Sequence, residues 1–98
     1  MTAPPDIERT TTPEGGHYTL RLPDISTPAV LDYTQPRPDH RIATHTFVPD
    51  AMRGQGVGQH LVQALVDDAR AQGFRIEAQC SYVRALAARH PEWADVLA

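Results

Sequence analysis

The chain contains no lysine, so its nine cationic residues are all arginines, and against twelve acidic residues they leave a formal net charge of −3. With a sequence pI near 5.9 there is no general basic field to attract a polyanion, which argues against nucleic acid as a partner. Any phosphate recognition must then come from a local device. A single cysteine, Cys80, excludes an internal disulfide framework and suits a reducing compartment, with the cytoplasm as the expected location. No run of about 20 apolar residues occurs, and the opening stretch MTAPPDIERTTTPEGG lacks the apolar segment of a secretory signal. No membrane association is expected.

Ninety-eight residues suit one compact domain and are too few for two. Residues 1–16 are rich in proline, threonine and glycine with only Ile7 to bury, and are expected to form a flexible arm, apart from a short strand near Glu8 to Thr12. The domain proper is expected over 17–98. There HYTLRL alternates Tyr18, Leu20 and Leu22 against polar residues, AVLDYTQ alternates through Ala29, Leu31 and Tyr33, and RIATHTFVP sets Ile42, Thr44, Thr46 and Val48 on one side. These strands, separated by the turn-forming PDISTP and PRPDH, predict an antiparallel meander.

From Val57 to Gln72 the apolar residues follow helical spacing, and Gly73 is the expected left-handed stop. FRIEAQC then reads as a further strand with Phe74, Ile76, Ala78 and Cys80 on one face; a strand–helix–strand unit makes its two strands parallel neighbours. Ser81 is placed to cap a second helix, YVRALAARH, which Pro91 should end, and PEWADVL adds one more turn. The expected fold class is therefore α+β.

The segment PDAMRGQGVGQHL, from Pro49 to Leu61, alternates Gly54, Gly56 and Gly58 between an arginine and the long helix. A helix that starts straight after a glycine-rich turn presents unpaired backbone N–H groups at the positive pole of its dipole, the arrangement that binds phosphate. Arg53 adds a forked charge. A P-loop is excluded because Gln59 and His60 stand where it needs Lys and Ser or Thr. A dinucleotide fingerprint fails because Gln59 replaces its third glycine, Glu77 falls mid-strand, and the preceding strands form hairpins.

At these residues the sequence resembles the Gcn5-related N-acetyltransferase (GNAT) superfamily, whose coenzyme A signature is matched by Arg53, Gly56 and Gly58. It is similar in particular to the small single-domain branch, through HTFVP, RGQGVG, CSYV and HPEW in that order, over about 17–97. The resemblance implies a GNAT-like fold: a meander of about three to four strands, a helix, a parallel strand splayed from its neighbour, and a C-terminal helix. It implies acetyl-coenzyme A as acyl donor, held by Phe47, Val48, Arg53, Gly54, Gln55, Gly56, Val57 and Gly58. Val48, before Pro49, is the expected bulge site, with an N–H to polarise the thioester carbonyl.

The same resemblance implies N-acetyltransfer to an unidentified primary amine by direct attack. Cys80 would lie near the acyl sulfur, as proton donor or acyl carrier; its other reading is a small buried hydrophobe. Tyr82 either protonates the departing thiolate or packs on the sheet. His45, on the strand bordering the slot and expected to share a face with Ala43 and Phe47, either takes the amine's proton through water or is structural. Phe47 stands where members often carry an acid, so no carboxylate base is available there, and Ser81 replaces a frequent proline. His40, His60 and His90 lack metal-ligand spacing with His45, and no metal is expected. The short chain implies an open acceptor side, or one completed by a second copy or a partner protein. A coenzyme A-binding module or sensor subunit with little catalysis is the alternative.

Overall fold

A computed structural model describes residues 7–98. Its order is β1 (Ile7–Thr12), β2 (Gly15–Leu22), β3 (Ile25–Arg37), β4 (His40–Phe47), a 3-10 turn (Asp50–Met52), α1 (Val57–Gln72), β5 (Arg75–Ala78), α2 (Ser81–Arg89) and a 3-10 segment (Pro91–Val96). The sheet runs β1-β2-β3-β4-β5, antiparallel through β4 and parallel between β4 and β5. This is the mixed α+β architecture expected. Within the expected arm, the short strand expected near Glu8 to Thr12 is present as Ile7–Thr12, which pairs along β2 and gives the sheet its outer edge; Gly15 and Gly16 already belong to β2, and residues 1–6 lie outside the described residues.

Alternation decides which face is covered. Tyr18, Leu20, Ala29, Leu31, Tyr33 and Ala43 join Leu61, Leu65 and Val66 of α1, Val83 of α2 and Trp93 in one buried cluster, so the helices pack on that face of the sheet. Gly73 ends α1 in the left-handed conformation, its N–H bonding the Ala69 carbonyl at 2.8 Å. The HPEW motif has a packing explanation. Buried Trp93 stacks on His90 at 4.2 Å between ring centres and donates from Nε1 to Gln63 Oε1 at 3.0 Å, which clasps the chain end to α1. Arg70 completes the clasp with a forked contact to Asp95 at 2.9 and 3.1 Å.

The alternation in β4 breaks once, and not at Val48. Asp32 pairs with His45 but Tyr33 pairs with Ala43, so Thr44 is the extra residue of a bulge, and its hydroxyl donates to the Asp32 carbonyl at 3.3 Å. The bulge reassigns faces. Thr46, paired with Leu31, joins Ala43 on the helix-covered side, whereas His45 and Phe47 project from the opposite face. The expected grouping of Ile42 with Thr46, and of His45 with Ala43, is thereby corrected; a single inserted residue flips every side chain beyond it.

Candidate functional site

Pairing of β4 with β5 stops at Ala43 and Ala78, where the Ala43 carbonyl accepts both the Gln79 N–H at 3.1 Å and the Cys80 N–H at 2.9 Å. Beyond that point β4 continues to Phe47 while the chain after β5 turns away into α2. The strands therefore fork. Across the fork the Thr46 hydroxyl and the Cys80 thiol face one another at 3.6 Å.

Beside the fork lies the start of α1. From Gly54 to Gln59 no backbone N–H donates to a group of the described residues; the first bond of the helix runs from the His60 N–H to the Gly56 carbonyl. No side chain caps the helix and no acid occupies its first turn, so its positive pole is uncompensated. Gly54 and Gly56 hold φ angles of 82° and 70°, left-handed values that disfavour a side chain, and an added Cβ at either would meet open space. Arg53 pairs with Asp50 at 3.1 Å, but the two side chains are 75% and 90% exposed, so this pair is weak and leaves Arg53 free to turn toward an anion.

A cleft of about 570 Å³ joins the two features, lined by Phe47, Val48, Arg53, Gly54, Gly56, Val57, Gly58 and Tyr82 among the residues expected from the sequence. Gln55, Cys80 and His45 do not line it. Gln55 turns its amide back to the Ala51 carbonyl at 3.2 Å. His45 is exposed on the helix-free face. The cleft adds Thr27, Thr46, Pro49, Asp50 and Met52. Of these only Thr46 reaches a candidate reactive group, and the bulge that turns it toward Cys80 has no glycine or proline to announce it.

Cys80, and not Ser81, is the N-cap residue of α2; Ser81 is the first residue of the helix. Partial burial pushes the Cys80 thiol up, but backbone N–H groups at Val83 and Tyr82 and the Thr46 hydroxyl outweigh it and hold the thiol below its ordinary value. Tyr82, 41% exposed, lays its hydroxyl against Gly58 in the first turn of α1. Among the described residues no cluster of His, Cys, Asp or Glu could hold a metal ion, and no helix is long and apolar enough to cross a membrane.

A parallel strand pair that forks beside an uncapped, glycine-led helix leaves strand edges and helix amides open in one cleft. Residues 17–96 match the family profile for GCN5-related N-acetyl-transferases, and the chain belongs to that family. Protein NATD1 from Bos taurus is 32% identical over 74 residues, covering 76% of this chain and 66% of that protein; Protein NATD1 from Homo sapiens is 31% identical over the same length. The chain thus spans just under two thirds of the bovine relative's length. Among solved structures, a GCN5-like N-acetyltransferase candidate from Staphylococcus aureus, determined by solution NMR, superposes with a TM-score of 0.71 at 25% identity over 93% of this chain and 87% of its own.

Proposed function

We propose that this protein transfers an acetyl group from acetyl-coenzyme A to a primary amine by direct attack. The observation that carries the reading is the run of unpartnered amides from Gly54 to Gln59 beside the β4/β5 fork. These residues fit the donor. The glycine backbone and Arg53 suit its diphosphate, and the fork suits the extended thiol-bearing arm, whose amides can pair with strand backbone. The donor brings the reactive thioester; the chain supplies orientation and proton handling.

In the transfer, the amine nitrogen forms a bond to the acetyl carbon, the carbon–sulfur bond breaks, and the sulfur leaves as thiolate. The Val48 N–H finds no backbone acceptor among the described residues and suits the role of steadying the carbonyl oxygen. Tyr82, at the cleft wall, is placed to protonate the thiolate. Cys80 lies one contact behind the wall, through Thr46, which favours a role in tuning that region over carrying the acyl group. His45, exposed on the far face and outside the cleft lining, would take the amine's proton only through water.

A coenzyme A-binding module is the second reading, favoured by one observation: among the described residues the one carboxylate lining the cleft is Asp50, which is exposed and already paired with Arg53. Two measurements separate them. Acetyl-coenzyme A should raise the melting temperature by mass action, and release of free thiol in the presence of an amine panel should exceed hydrolysis alone. A thermal shift without amine-dependent release selects the module; no shift at high donor concentration overturns both readings.

A further inference from the structure

We infer that the acceptor is an aliphatic diamine, anchored through one ammonium group at Asp32 on the helix-free face of the sheet, with its second amine delivered to the fork. The inference rests on the acetyl-transfer reading above. It begins with strand register. His17 pairs directly with Asp32 between β2 and β3, and Asp32 pairs directly with His45 between β3 and β4. Directly paired residues project to the same face with Cβ atoms about 5 Å apart, so a carboxylate stands between two imidazoles on one rung.

Asp32 is singular among the described acids. Asp32 and Asp68 are the two that are partly withdrawn from solvent. Asp68 is satisfied by Arg9 and by the Tyr18 hydroxyl. Among the described residues the Asp32 carboxylate has neither an ion pair nor a side-chain hydrogen bond; its backbone carbonyl accepts from the Thr44 hydroxyl at the bulge. On the same face Glu8 pairs with Arg21 at 3.2 Å, and Glu77 pairs with His40 at 3.3 Å. A partly buried carboxylate with no cationic partner among the described residues is open to a cation brought from outside.

The neighbouring rung supplies the rest. Val30 pairs with Phe47 on the same face, and Phe47, 48% exposed, also forms the rim of the cleft. A ligand lying along the strands from Asp32 would pass from a carboxylate onto an apolar step and then to the cleft edge. Asp32 and Val30 are two residues apart, about 6.6 Å at the usual rise, so a chain of about five methylenes anchored at Asp32 spans to the Val30–Phe47 rung and places its second amine at the Phe47 rim of the cleft. A simple monoamine can use the apolar step or the carboxylate, but a diamine of this length uses both.

The test compares acetylation of 1,5-diaminopentane and of pentylamine, with the acetyl-coenzyme A-induced melting shift recorded for every protein. The wild type should favour the diamine by about tenfold in kcat/KM, the factor expected of one well-formed ion pair. Asp32→Asn should erase the preference through KM and leave the donor-induced shift intact, and Asp32→Glu should restore part of it. Equal use of the two amines by the wild type, or an unchanged preference in Asp32→Asn, overturns the inference. If the donor-induced shift itself is missing, the acetyl-transfer reading has failed instead. In a protein that binds donor but turns over neither amine, titration of 1,5-diaminopentane followed by the imidazole signals of His17 and His45 still decides: movement in the wild type and none in Asp32→Asn is expected, and no movement in the wild type overturns the subsite.

Discussion

The Tyr82 hydroxyl rests so closely on Gly58 that a methyl group added at Gly58 would overlap the phenol oxygen and two carbons of its ring. The alternating glycines therefore answer to two different demands. Gly54 and Gly56 allow left-handed backbone, with free space beyond them, whereas Gly58 is a regular helical residue that makes room for a side chain. Gly58→Ala should displace the phenol while sparing the fold, because Tyr82 is partly exposed and can swing outward. With Tyr82 as thiolate proton donor, Gly58→Ala should lower kcat by about tenfold or more with little change in donor affinity. The double variant with Tyr82→Phe should be no worse than either single one, and full activity of Gly58→Ala would remove Tyr82 from the chemistry.

Gly56→Val tests the anion cradle. Gly56 is the left-handed N-cap of α1, so a β-branched residue there costs about 1–3 kcal/mol of backbone strain without any steric clash. That is survivable for a domain of ordinary stability. The protein should melt lower yet cooperatively, and should lose the thermal response to acetyl-coenzyme A. Wild-type affinity in a folded Gly56→Val protein would mean that the diphosphate sits elsewhere.

Much of this arrangement could be read from residue order alone, because it depends on local rules. The helix from Val57 to Gln72 and its Gly73 stop follow from spacing and one glycine, and were expected at the observed bounds. The parallel partner of β4 follows from connectivity. What escaped is non-local. The extra residue at Thr44 is fixed by where β3 happens to pair, so the faces of His45, Thr46 and Phe47 came out only with the register. The short strand expected near Glu8 to Thr12 is there as Ile7–Thr12, a polar edge strand that needs only the backbone partners β2 provides. The Cys80–Thr46 contact depends on the same bulge and on the fork, neither of which leaves a composition signal.

The polarised thiol gives a chemical readout that needs no acceptor. The Cys80 pKa lies below the ordinary value because the Val83 and Tyr82 amides and the Thr46 hydroxyl offset the penalty of burial. Alkylation follows the thiolate, so its rate should rise at lower pH than for an unperturbed cysteine. Thr46→Val removes one of these donors and should move the profile to higher pH. If Cys80 serves only to tune the fork, Cys80→Ala should leave donor affinity intact and reduce turnover modestly, whereas a complete loss of turnover would instead favour an acyl-carrying thiol.

At the opposite end of β4, buried Arg41 lies between the rings of Tyr33 at 4.3 Å and Phe74 at 4.1 Å, donates to Gln35 at 3.0 Å, and donates to the Tyr18 hydroxyl at 2.7 Å. The Tyr18 hydroxyl in turn donates a hydrogen bond to the Asp68 carboxylate at 2.8 Å, which joins β2, β4 and α1. Arg41→Met removes the donors and the cation–ring contacts and should cost about 2–4 kcal/mol in urea unfolding, with the response to acetyl-coenzyme A preserved because the fork begins only after Ala43.

The same network gives the protein an alkaline limit. Burial, reinforced by the hydrogen bond to Asp68, raises the Tyr18 phenol well above its ordinary value, despite the opposing pull of Arg41. A group whose proton is held more tightly in the folded state stabilises that state fully below its unfolded pKa, about 10 for tyrosine, and progressively less above it. Stability measured by urea should therefore be independent of this group at neutral pH and decline as pH rises past about 10, where the unfolded chain releases the phenolic proton first. Tyr18→Phe should be less stable at neutral pH, having lost two hydrogen bonds, but should show a shallower alkaline decline. An equally steep decline in Tyr18→Phe would place the alkaline transition on other groups.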